Sequence, residues 1–303
     1  CPSTLLRIPR RIPSEVEGRK SAFKMKETMV KQIKIRDVKI GNGASLVLIA
    51  GPCVIEDKES CMETARRLVK ITQELKIPFI FKSSFDKANR SSLASYRGPG
   101  LAKGLKILSQ IKQKLEIFFF FYIHCREQVE PAAEVLDVIQ IPAYLSRQTD
   151  LILVAAQTQK AINVKKGQFM APWDIIQIIK KIESKGNKKI IITERGVSFG
   201  YNNLVSDLRS LAIMRSFGYP VIYDATHSVQ LPAQKGESSS GERQYVLPLS
   251  RAAVAFGCDG LFIETHISPD KALCDGPNMI DLEQLKELLI QVRKIAEVTK
   301  RCL

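Results

Sequence analysis

Eight short apolar runs most constrain what this 303-residue chain can fold into. Nearly every run is followed by a polar or charged residue, and stretches with helical spacing of apolar residues separate the runs. A strand and a helix that alternate eight times predict an α/β fold, the (β/α)8 or TIM barrel. The runs are Leu46–Ala50, Phe79–Phe81, Ile117–Ile123, Val138–Ile141, Ala161–Val164, Ile190–Thr193, Val221–Tyr223 and Leu261–Ile263. Active sites of such barrels lie at the carboxyl ends of the strands, so the residues that follow these runs are the candidates.

The remaining segments predict a simple domain organisation. Residues 1–24 contain several prolines and basic residues without periodicity, and we expect a disordered or non-native extension there. Residues 25–303 are then a single barrel catalytic domain. The alternation over Ile33–Ile40 predicts a short β-hairpin that closes the bottom of the barrel. Helical spacing predicts one of the connecting helices over Leu204–Phe217.

Composition excludes several classes of protein. Apolar residues make up 45% and charged residues 25% of the chain, as in ordinary globular proteins. No apolar stretch approaches the roughly 20 residues of a membrane helix, and residues 1–24 contain no secretory apolar segment, so no membrane partner is expected. The net charge of +15 is spread along the chain without a recognition motif, which argues against nucleic acid as a partner. Seven scattered cysteines favour reduced thiols and a cytoplasmic location.

Four residues near strand ends are candidate ligands of a divalent metal ion. Cys53, His227 and Glu264 follow the first, seventh and eighth runs, and Asp275 lies in the loop after the eighth. A thiolate, an imidazole and two carboxylates suit Zn²⁺, Fe²⁺, Co²⁺ or Mn²⁺ better than Mg²⁺. A lone cysteine after a strand is more often a packing residue than a ligand, so the hypothesis depends on all four meeting at one mouth.

Five cationic residues form a second candidate group at the same end of the barrel. They are Lys82, Lys87, Arg90, Lys165 and Arg195. So many cations at one mouth would repel one another unless an anion binds there, which implies phosphate or carboxylate ligands. Lys87 and Arg90 also admit the plainer interpretation of a solvated charged run. They lie in Ser83–Gly100, which with Leu231–Gln244 is one of two long polar loops expected to carry function.

Eight longer segments make the chain resemble the 3-deoxy-D-manno-octulosonate 8-phosphate (KDO-8-phosphate) synthases. The resemblance covers residues 44–298 in order, and the family is itself similar to the DAHP synthases. The matching segments are LIAGPCVIE (48–56), FKSSFDKANRSS (81–92), YRGPG (96–100), IQIPAYLSRQTDL (139–151), NVKKGQFMAPW (163–173), TERGVSFGYNNLVSD (193–207), DATHSVQLP (224–232) and ETHISPDKALCDGPN (264–278).

The resemblance implies a C–C bond-forming transferase that makes a lipopolysaccharide precursor from phosphoenolpyruvate and arabinose 5-phosphate. It implies a homotetramer, and it implies the metal-dependent class because Cys53 stands where other members have Asn. The implied phosphoenolpyruvate ligands are Lys82, Ser84, Lys87, Gln140, Ala143, Lys165 and Arg195. The implied sugar phosphate ligands are Asn89, Arg90, Ser91 and Arg147. The implied catalytic residues are Lys82, Lys165, His227 and Asp275, and the implied metal ligands are Cys53, His227, Glu264 and Asp275.

One departure from the family pattern falls at a strand end. Tyr122 stands where the family usually shows an acidic residue facing the mouth, and a phenol is bulkier and uncharged near neutral pH. We expect Tyr122 to face the mouth at a cost to sugar binding, unless Phe118–Phe121 shifts the strand register and turns it outward. Two alternatives to the main interpretation follow: a DAHP-type synthase acting on erythrose 4-phosphate, and a catalytically impaired barrel.

Overall fold

The strands confirm the predicted barrel. The computed structural model describes residues 29–90, 92–232 and 240–299. In chain order its strands are β1 (Ile33–Ile35), β2 (Val38–Ile40), β3 (Val47–Gly51), β4 (Phe79–Lys82), β5 (Phe119–Tyr122), β6 (Val138–Ile141), β7 (Ala161–Lys165), β8 (Ile190–Glu194), β9 (Val197–Ser198), β10 (Leu204–Val205), β11 (Val221–Asp224), β12 (Gln230–Leu231), β13 (Ser240–Gly241) and β14 (Gly260–Glu264). Strands β3 to β8, β11 and β14 are parallel and close into an eight-stranded barrel in which β14 pairs with β3.

Helices alternate with the barrel strands and pack around them. They are α1 (Lys58–Glu74), α2 (Leu101–Leu115), α3 (Val129–Val135), α4 (Thr149–Gln157), α5 (Ile175–Glu183), α6 (Arg209–Arg215), α7 (Val246–Phe256) and α8 (Leu282–Thr299). The helix predicted over Leu204–Phe217 is too long, because its first residues form β10, which pairs with β9 as a small hairpin. Across the described residues, no helix is both long and apolar enough to cross a membrane.

The predicted amino-terminal hairpin is present. Strands β1 and β2 pair antiparallel, and their four apolar side chains are buried against the barrel. Arg36 in the turn lies 3.2 Å from the carboxylate of Asp137, directly before β6. The backbone N–H of Lys31 donates to the carbonyl of Gly218, ahead of β11. Both contacts are at the amino ends of barrel strands, so the hairpin covers the end opposite the candidate site.

The phenylalanine-rich strand β5 keeps the ordinary alternation of side chains. Phe120 faces Phe262 of β14 with ring centroids 5.8 Å apart, and Phe121 stacks on Phe85 at 4.6 Å. Successive side chains of a strand point to opposite faces, so Tyr122 shares the face of Phe120. Its side chain accordingly lines the cavity at the mouth of the barrel. The outward register shift considered for this strand is not found.

Gly51 ends β3 at a point where no other residue fits. Its φ is 155°, and a Cβ there would lie 1.9 Å from the carbonyl oxygen of Lys82 in β4. The close approach of the two backbones lets Pro52 and Cys53 follow immediately above the strand end. A glycine therefore places the candidate thiol at the mouth of the barrel.

Some expectations concern residues outside the described part of the chain. These are the extension over residues 1–24, the middle of the loop Leu231–Gln244 (residues 233–239) and Ser91. The division into an extension and one catalytic domain therefore stays a prediction.

Candidate active site

A cavity of about 300 Å³ lies at the carboxyl ends of the barrel strands. Among the described residues that line it, four carry a cationic side chain and one carries a carboxylate. These five are Lys87, Arg90, Lys165, Arg195 and Asp275. Such an excess of positive charge in a concave site favours an anionic ligand.

Lys165, Asp224 and His227 form a buried cluster at the carboxyl ends of β7 and β11. Lys165 Nζ lies 2.5 Å from Asp224 Oδ2, and His227 Nδ1 lies 2.9 Å from the same oxygen. Burial lowers the pKa of Lys165 to about 8, although the Asp224 carboxylate opposes the shift. Burial alone would raise the pKa of Asp224, but His227 and Lys165 outweigh it and hold that pKa well below its ordinary value. Asp224 is therefore an anion that orients two neighbours.

His227 is a neutral imidazole in this cluster. Burial and the nearby Lys165 cation lower its pKa, and the Asp224 carboxylate only partly offsets them. The tautomer follows from the contacts: Nδ1–H donates to Asp224, which leaves the Nε2 lone pair free. Nε2 lies 3.7 Å from Glu264 Oε1. A carboxylate that orients an imidazole in this way is typical of histidine ligands of metals.

Arg195 is held from two sides at the wall of the cavity. Its Nη2 donates to the carbonyl of His227 at 3.2 Å and to Gln230 Oε1 at 3.1 Å. The carboxylate of Glu194, the last residue of β8, accepts the backbone N–H groups of Arg195 and Gly196 at 2.9 and 2.7 Å. These contacts fix both the backbone and the guanidinium in position before a ligand arrives.

Glu264, at the end of β14, lies between two lysines. Its Oε1 is 2.5 Å from Lys82 Nζ and 3.6 Å from Lys87 Nζ. Burial would raise the pKa of Glu264, but the two ammonium groups hold it well below its ordinary value. Lys82 also donates to the carbonyl of Pro52 at 3.0 Å and does not line the cavity. Lys82 therefore neutralises Glu264 from beneath the site.

The ring of Phe262 forms an apolar floor under these charges. Lys165 Nζ lies 3.9 Å and Lys82 Nζ 5.1 Å from its centroid, within the range of a cation–π contact. The ring is fully buried inside the barrel and keeps water from reaching the ammonium groups from below.

Tyr122 occupies the mouth beside a lysine. Its hydroxyl is a hydrogen-bond partner of Lys87 Nζ, and Lys87 Nζ also lies 4.9 Å from the Tyr122 ring centroid. Burial raises the pKa of the Tyr122 phenol, so the side chain is uncharged at neutral pH. Burial would lower the pKa of Lys87, but the surrounding groups, Glu264 among them, raise it well above its ordinary value. The mouth therefore keeps the full charge of Lys87.

The four candidate metal ligands fall into two adjoining groups that share Asp275. Ligand atoms of His227, Glu264 and Asp275 all lie within 4.8 Å of one another, and Cys53 Sγ lies 3.3 Å from Asp275 Oδ2. Glu264 Oε2 is buried without a hydrogen-bond partner among the described residues. Burial and the adjoining Cys274 and Asp275 raise the pKa of the Cys53 thiol well above its ordinary value, which a bound cation would counteract. One sulfur, one imidazole nitrogen and two carboxylates form a donor set suited to Zn²⁺ and its neighbours.

Comparison with known proteins decides the family. Residues 22–301 match the model of the DAHP synthetase I family. The chain belongs to the DAHP synthetase I family. It is 57% identical over 272 residues to the 2-dehydro-3-deoxyphosphooctonate aldolase of Geobacter metallireducens, 58% identical to that of Geotalea uraniireducens and 56% identical to that of Geobacter sulfurreducens. Each alignment covers 90% of this chain and 100% of the relative.

The structure of this DAHP synthetase I family member brings most of the predicted site residues together. Asn89, Gln140 and Ala143 line the cavity with the cations and His227. Ser84 is buried at the start of the loop that follows β4, where its hydroxyl donates to the carbonyl of Asp86 at 2.9 Å. Arg147 is exposed and does not line the cavity in a single chain.

Four residues of this family member were missed as site residues in the sequence. Asp224 and Phe262 are the last and the middle residue of barrel strands, Gln230 begins the short strand β12, and Cys274 lies in the loop after β14. Asp224 directly follows the seventh apolar run, just as Lys165 follows the fifth. The sequence pattern that identified Lys165 could therefore have identified Asp224 as well. Nothing in the spacing of Cys274 indicates that its sulfur meets that of Cys53.

Proposed function

We propose that this protein condenses phosphoenolpyruvate with D-arabinose 5-phosphate and water, giving 3-deoxy-D-manno-octulosonate 8-phosphate and inorganic phosphate. The observation that carries the proposal is the full-length identity of about 57% to relatives named 2-dehydro-3-deoxyphosphooctonate aldolase. The cationic cavity supports it, because both substrates carry a phosphate.

The proposed reaction forms one C–C bond and breaks one C–O bond. The vinyl carbon of phosphoenolpyruvate attacks the aldehyde carbon of arabinose 5-phosphate, and the aldehyde oxygen takes up a proton. Water adds to the enol ether carbon, which carries the positive charge that develops, and gives up one proton to solvent. The resulting hemiketal loses inorganic phosphate by cleavage of its C–O bond and becomes a ketone.

The cations of the cavity bind and orient the two anionic substrates. Lys165 and Arg195, held by Asp224 and Gln230, are suited to the phosphate and carboxylate of phosphoenolpyruvate. Fixed donors of this kind convert an encounter of two substrates into a nearly unimolecular step. Lys165 Nζ, whose pKa is about 8, can also supply a proton to the departing phosphate oxygen near neutral pH. We assign Arg90 to the phosphate of the sugar.

Cys53, His227, Glu264 and Asp275 are the residues that would hold a divalent ion. Such an ion, when bound, supplies a Lewis acid for the aldehyde oxygen and lowers the pKa of a bound water. His227 Nδ1 keeps its proton and donates it in a hydrogen bond to Asp224, so Nε2 would be free to bind the ion. Lys82 balances the charge of Glu264 from below.

We also propose that the enzyme works as a homotetramer in the cytoplasm. Several large apolar side chains are exposed near the rim of the barrel, among them Phe169, Trp173, Phe199 and Tyr201. The backbone of Ser198 donates to the carbonyl of Gln168, which brings the two segments that carry them together. Exposed apolar patches of this kind are typical of subunit contacts. Sedimentation velocity tests the assembly, and a monomer at micromolar concentration contradicts it.

The deciding experiment measures phosphate release from phosphoenolpyruvate with two aldehydes. Arabinose 5-phosphate should support turnover, with kcat/KM at least about a hundredfold above that for erythrose 4-phosphate, since a site built for polar groups rejects an analogue that leaves them unpaired. A reversed preference identifies a DAHP-type synthase, which the description of the family model also suggests. If neither aldehyde supports phosphate release in the presence of Mn²⁺ or Zn²⁺, the protein is the impaired barrel. Lys165→Ala is the matched control for contaminating activity.

A further inference from the structure

Cys274 is a second sulfur at the mouth of the barrel. Its Sγ lies 2.6 Å from Cys53 Sγ, although the two residues are 221 positions apart in the chain. The side chains of both are buried, and both are free thiols. Cys53 Sγ lies 3.3 Å from Asp275 Oδ2. Two sulfurs and a carboxylate oxygen therefore occupy one small volume.

These three donors satisfy the spacing of a metal site by themselves. Ligand atoms of Cys53, Cys274 and Asp275 all lie within 4.8 Å of one another, as do those of His227, Glu264 and Asp275. Asp275 is common to both groups, so the two groups adjoin. Glu264 is only 1% exposed, and its Oε2 has no hydrogen-bond partner in the described ranges. A buried, unpartnered carboxylate oxygen in the adjoining group is a feature that a bound cation would satisfy.

Apolar side chains also pack against the two sulfurs. Val54 and Met279 pack with them in a small cluster separate from the main core. Arg90 is a polar neighbour, and it contacts both Cys274 Sγ and Asp275 Oδ1. Thiols in an apolar pocket that opens onto a carboxylate are well placed to bind a soft cation that can displace the guanidinium.

We propose that Cys274 is a second sulfur ligand of the divalent-cation site, which makes the site selective for Zn²⁺ over Mn²⁺. The inference rests on the metal site of the proposed function and extends it, because only Cys53 supplies sulfur there. Each thiol that binds the ion releases its proton to solvent. The two sulfurs are 2.6 Å apart here, so for both to bind one ion they would have to move apart by side-chain rotation.

Cobalt titration counts the sulfur ligands. The apoprotein, reduced with a phosphine and kept free of oxygen, is titrated with Co²⁺ while sulfur-to-cobalt charge-transfer absorption is recorded in the near ultraviolet. Cys274→Ser and Cys53→Ser should each reduce the absorption per bound cobalt about twofold, and the double variant should abolish it. Cys258→Ser, a buried thiol at the amino end of β14, is the matched control and should leave it unchanged.

Zinc selectivity and direct structural counting give two further readouts. Cys274→Ser should lower the ratio of Zn²⁺ to Mn²⁺ affinity at least about tenfold, since losing even an outer partner of a metal ligand costs about 10–100-fold. X-ray absorption of the zinc-loaded wild-type protein should show two sulfur scatterers at about 2.3 Å and needs no variant to fold. One sulfur scatterer, or full cobalt absorption in Cys274→Ser, overturns this inference alone. A wild-type protein that binds neither cobalt nor zinc overturns the metal site of the proposed function as well.

Discussion

Lys165 is the side chain whose chemistry depends most on its surroundings. It is buried beside Asp224 and above the ring of Phe262, and its Nζ lies 3.5 Å from His227 Nδ1. Removal from water favours the neutral amine, whereas the carboxylate favours the ammonium form. Burial is the larger effect, so the pKa falls to about 8.

The pH dependence of phosphoenolpyruvate use should report this shift. In the folded protein Lys165 loses its proton near pH 8, whereas an ordinary lysine does so near 10.5. Because the ammonium form binds phosphoenolpyruvate, kcat/KM for this substrate should fall above about pH 8. A bound anion favours the ammonium form, so the corresponding limb of kcat should lie at higher pH. Initial rates between pH 6 and pH 10 measure both limbs. Lys165→Arg should remove the falling limb, because a guanidinium keeps its proton throughout this range; an unchanged limb in that variant contradicts the assignment.

Removal of cations should separate the two substrates. Lys165→Ala and Arg195→Ala each delete a charge-assisted contact worth roughly 1.5–3 kcal/mol. Each should therefore lower kcat/KM for phosphoenolpyruvate at least about tenfold. Arg90→Ala should instead raise KM for arabinose 5-phosphate far more than KM for phosphoenolpyruvate.

Steady-state kinetics with one substrate varied at a time checks this division. Lys188→Ala, at an exposed lysine before β8, is a control that should change neither KM. If all three cavity variants lowered kcat/KM equally for both substrates, the cations would not be divided between the two substrates.

Tyr122 should lower sugar binding relative to a carboxylate at the same place. Its phenol lies in the mouth beside Lys87, so Tyr122→Asp would put an anion next to the Lys87 cation. We expect kcat/KM for arabinose 5-phosphate to rise about tenfold if one charged hydrogen bond to the sugar is gained. Tyr122→Phe, which keeps the ring and removes the hydroxyl, should not give this gain.

Melting temperature measured beside the kinetics separates binding from folding. A lower melting temperature of Tyr122→Asp without kinetic gain would mean that the carboxylate is buried among apolar groups and not offered to the sugar.

At the scale of elements, contacts at the start of helix α1 anchor the loops that carry the thiols of the site. Helix α1 begins after Asp57, whose carboxylate accepts the backbone N–H of Ser60 at 2.7 Å. Only three residues separate Cys53 from Asp57, so the start of α1 anchors the loop that carries the thiol. Glu56 adds a second anchor, since its carboxylate accepts the N–H of Leu273 beside Cys274.

Loss of the α1 cap should destabilise the protein without touching the cavity. Asp57→Ala should lower the free energy of unfolding by about 1 kcal/mol, the usual value of an N-cap side chain. Asp57→Asn should retain most of it, because the amide oxygen accepts the same N–H. Urea denaturation of the three proteins measures the difference. Equal losses for Ala and Asn would point to the charge of Asp57 and not to its hydrogen bond.

At the scale of the whole molecule, the metal site connects distant parts of the chain. Its four proposed ligands lie at or after the ends of β3, β11 and β14, and β3 and β14 are the neighbours that close the barrel. An ion held there binds only the folded chain. It should therefore stabilise the closed barrel in addition to supporting catalysis.

Removal of metal should abolish turnover and lower the melting temperature together. Excess EDTA should inactivate the enzyme, and Mn²⁺, Co²⁺ or Fe²⁺ should restore activity. Cys53→Ala should lose bound metal and activity in parallel, whereas Cys61→Ala, a buried thiol on α1, should lose neither. Full activity in excess EDTA, with no metal in the protein by elemental analysis, would show that the four residues have another role.

The barrel and the edge that carries the site followed from the sequence alone. Strand runs buried on both faces are continuously apolar, and the residue that ends each run must lie at the rim, so Lys165, Arg195 and Glu264 could be assigned to one mouth. The hairpin over Ile33–Ile40 followed from its period of two in the same way. Local pattern failed at Leu204–Phe217, because the spacing of apolar residues there fits a helix while pairing with β9 requires a strand.

The tertiary structure alone decided which neighbours each of these side chains has. Asp224 meets Lys165 across 59 positions of sequence, Lys82 turns down onto Glu264 instead of into the cavity, and Cys274 meets Cys53 across 221. Periodicity fixes the face on which a residue lies, but partners in a barrel come from strands far apart in the chain. Protonation, ligand sets and the choice of metal depend on those partners and on burial, so the charge of Lys165 and the second sulfur emerge only from the folded barrel.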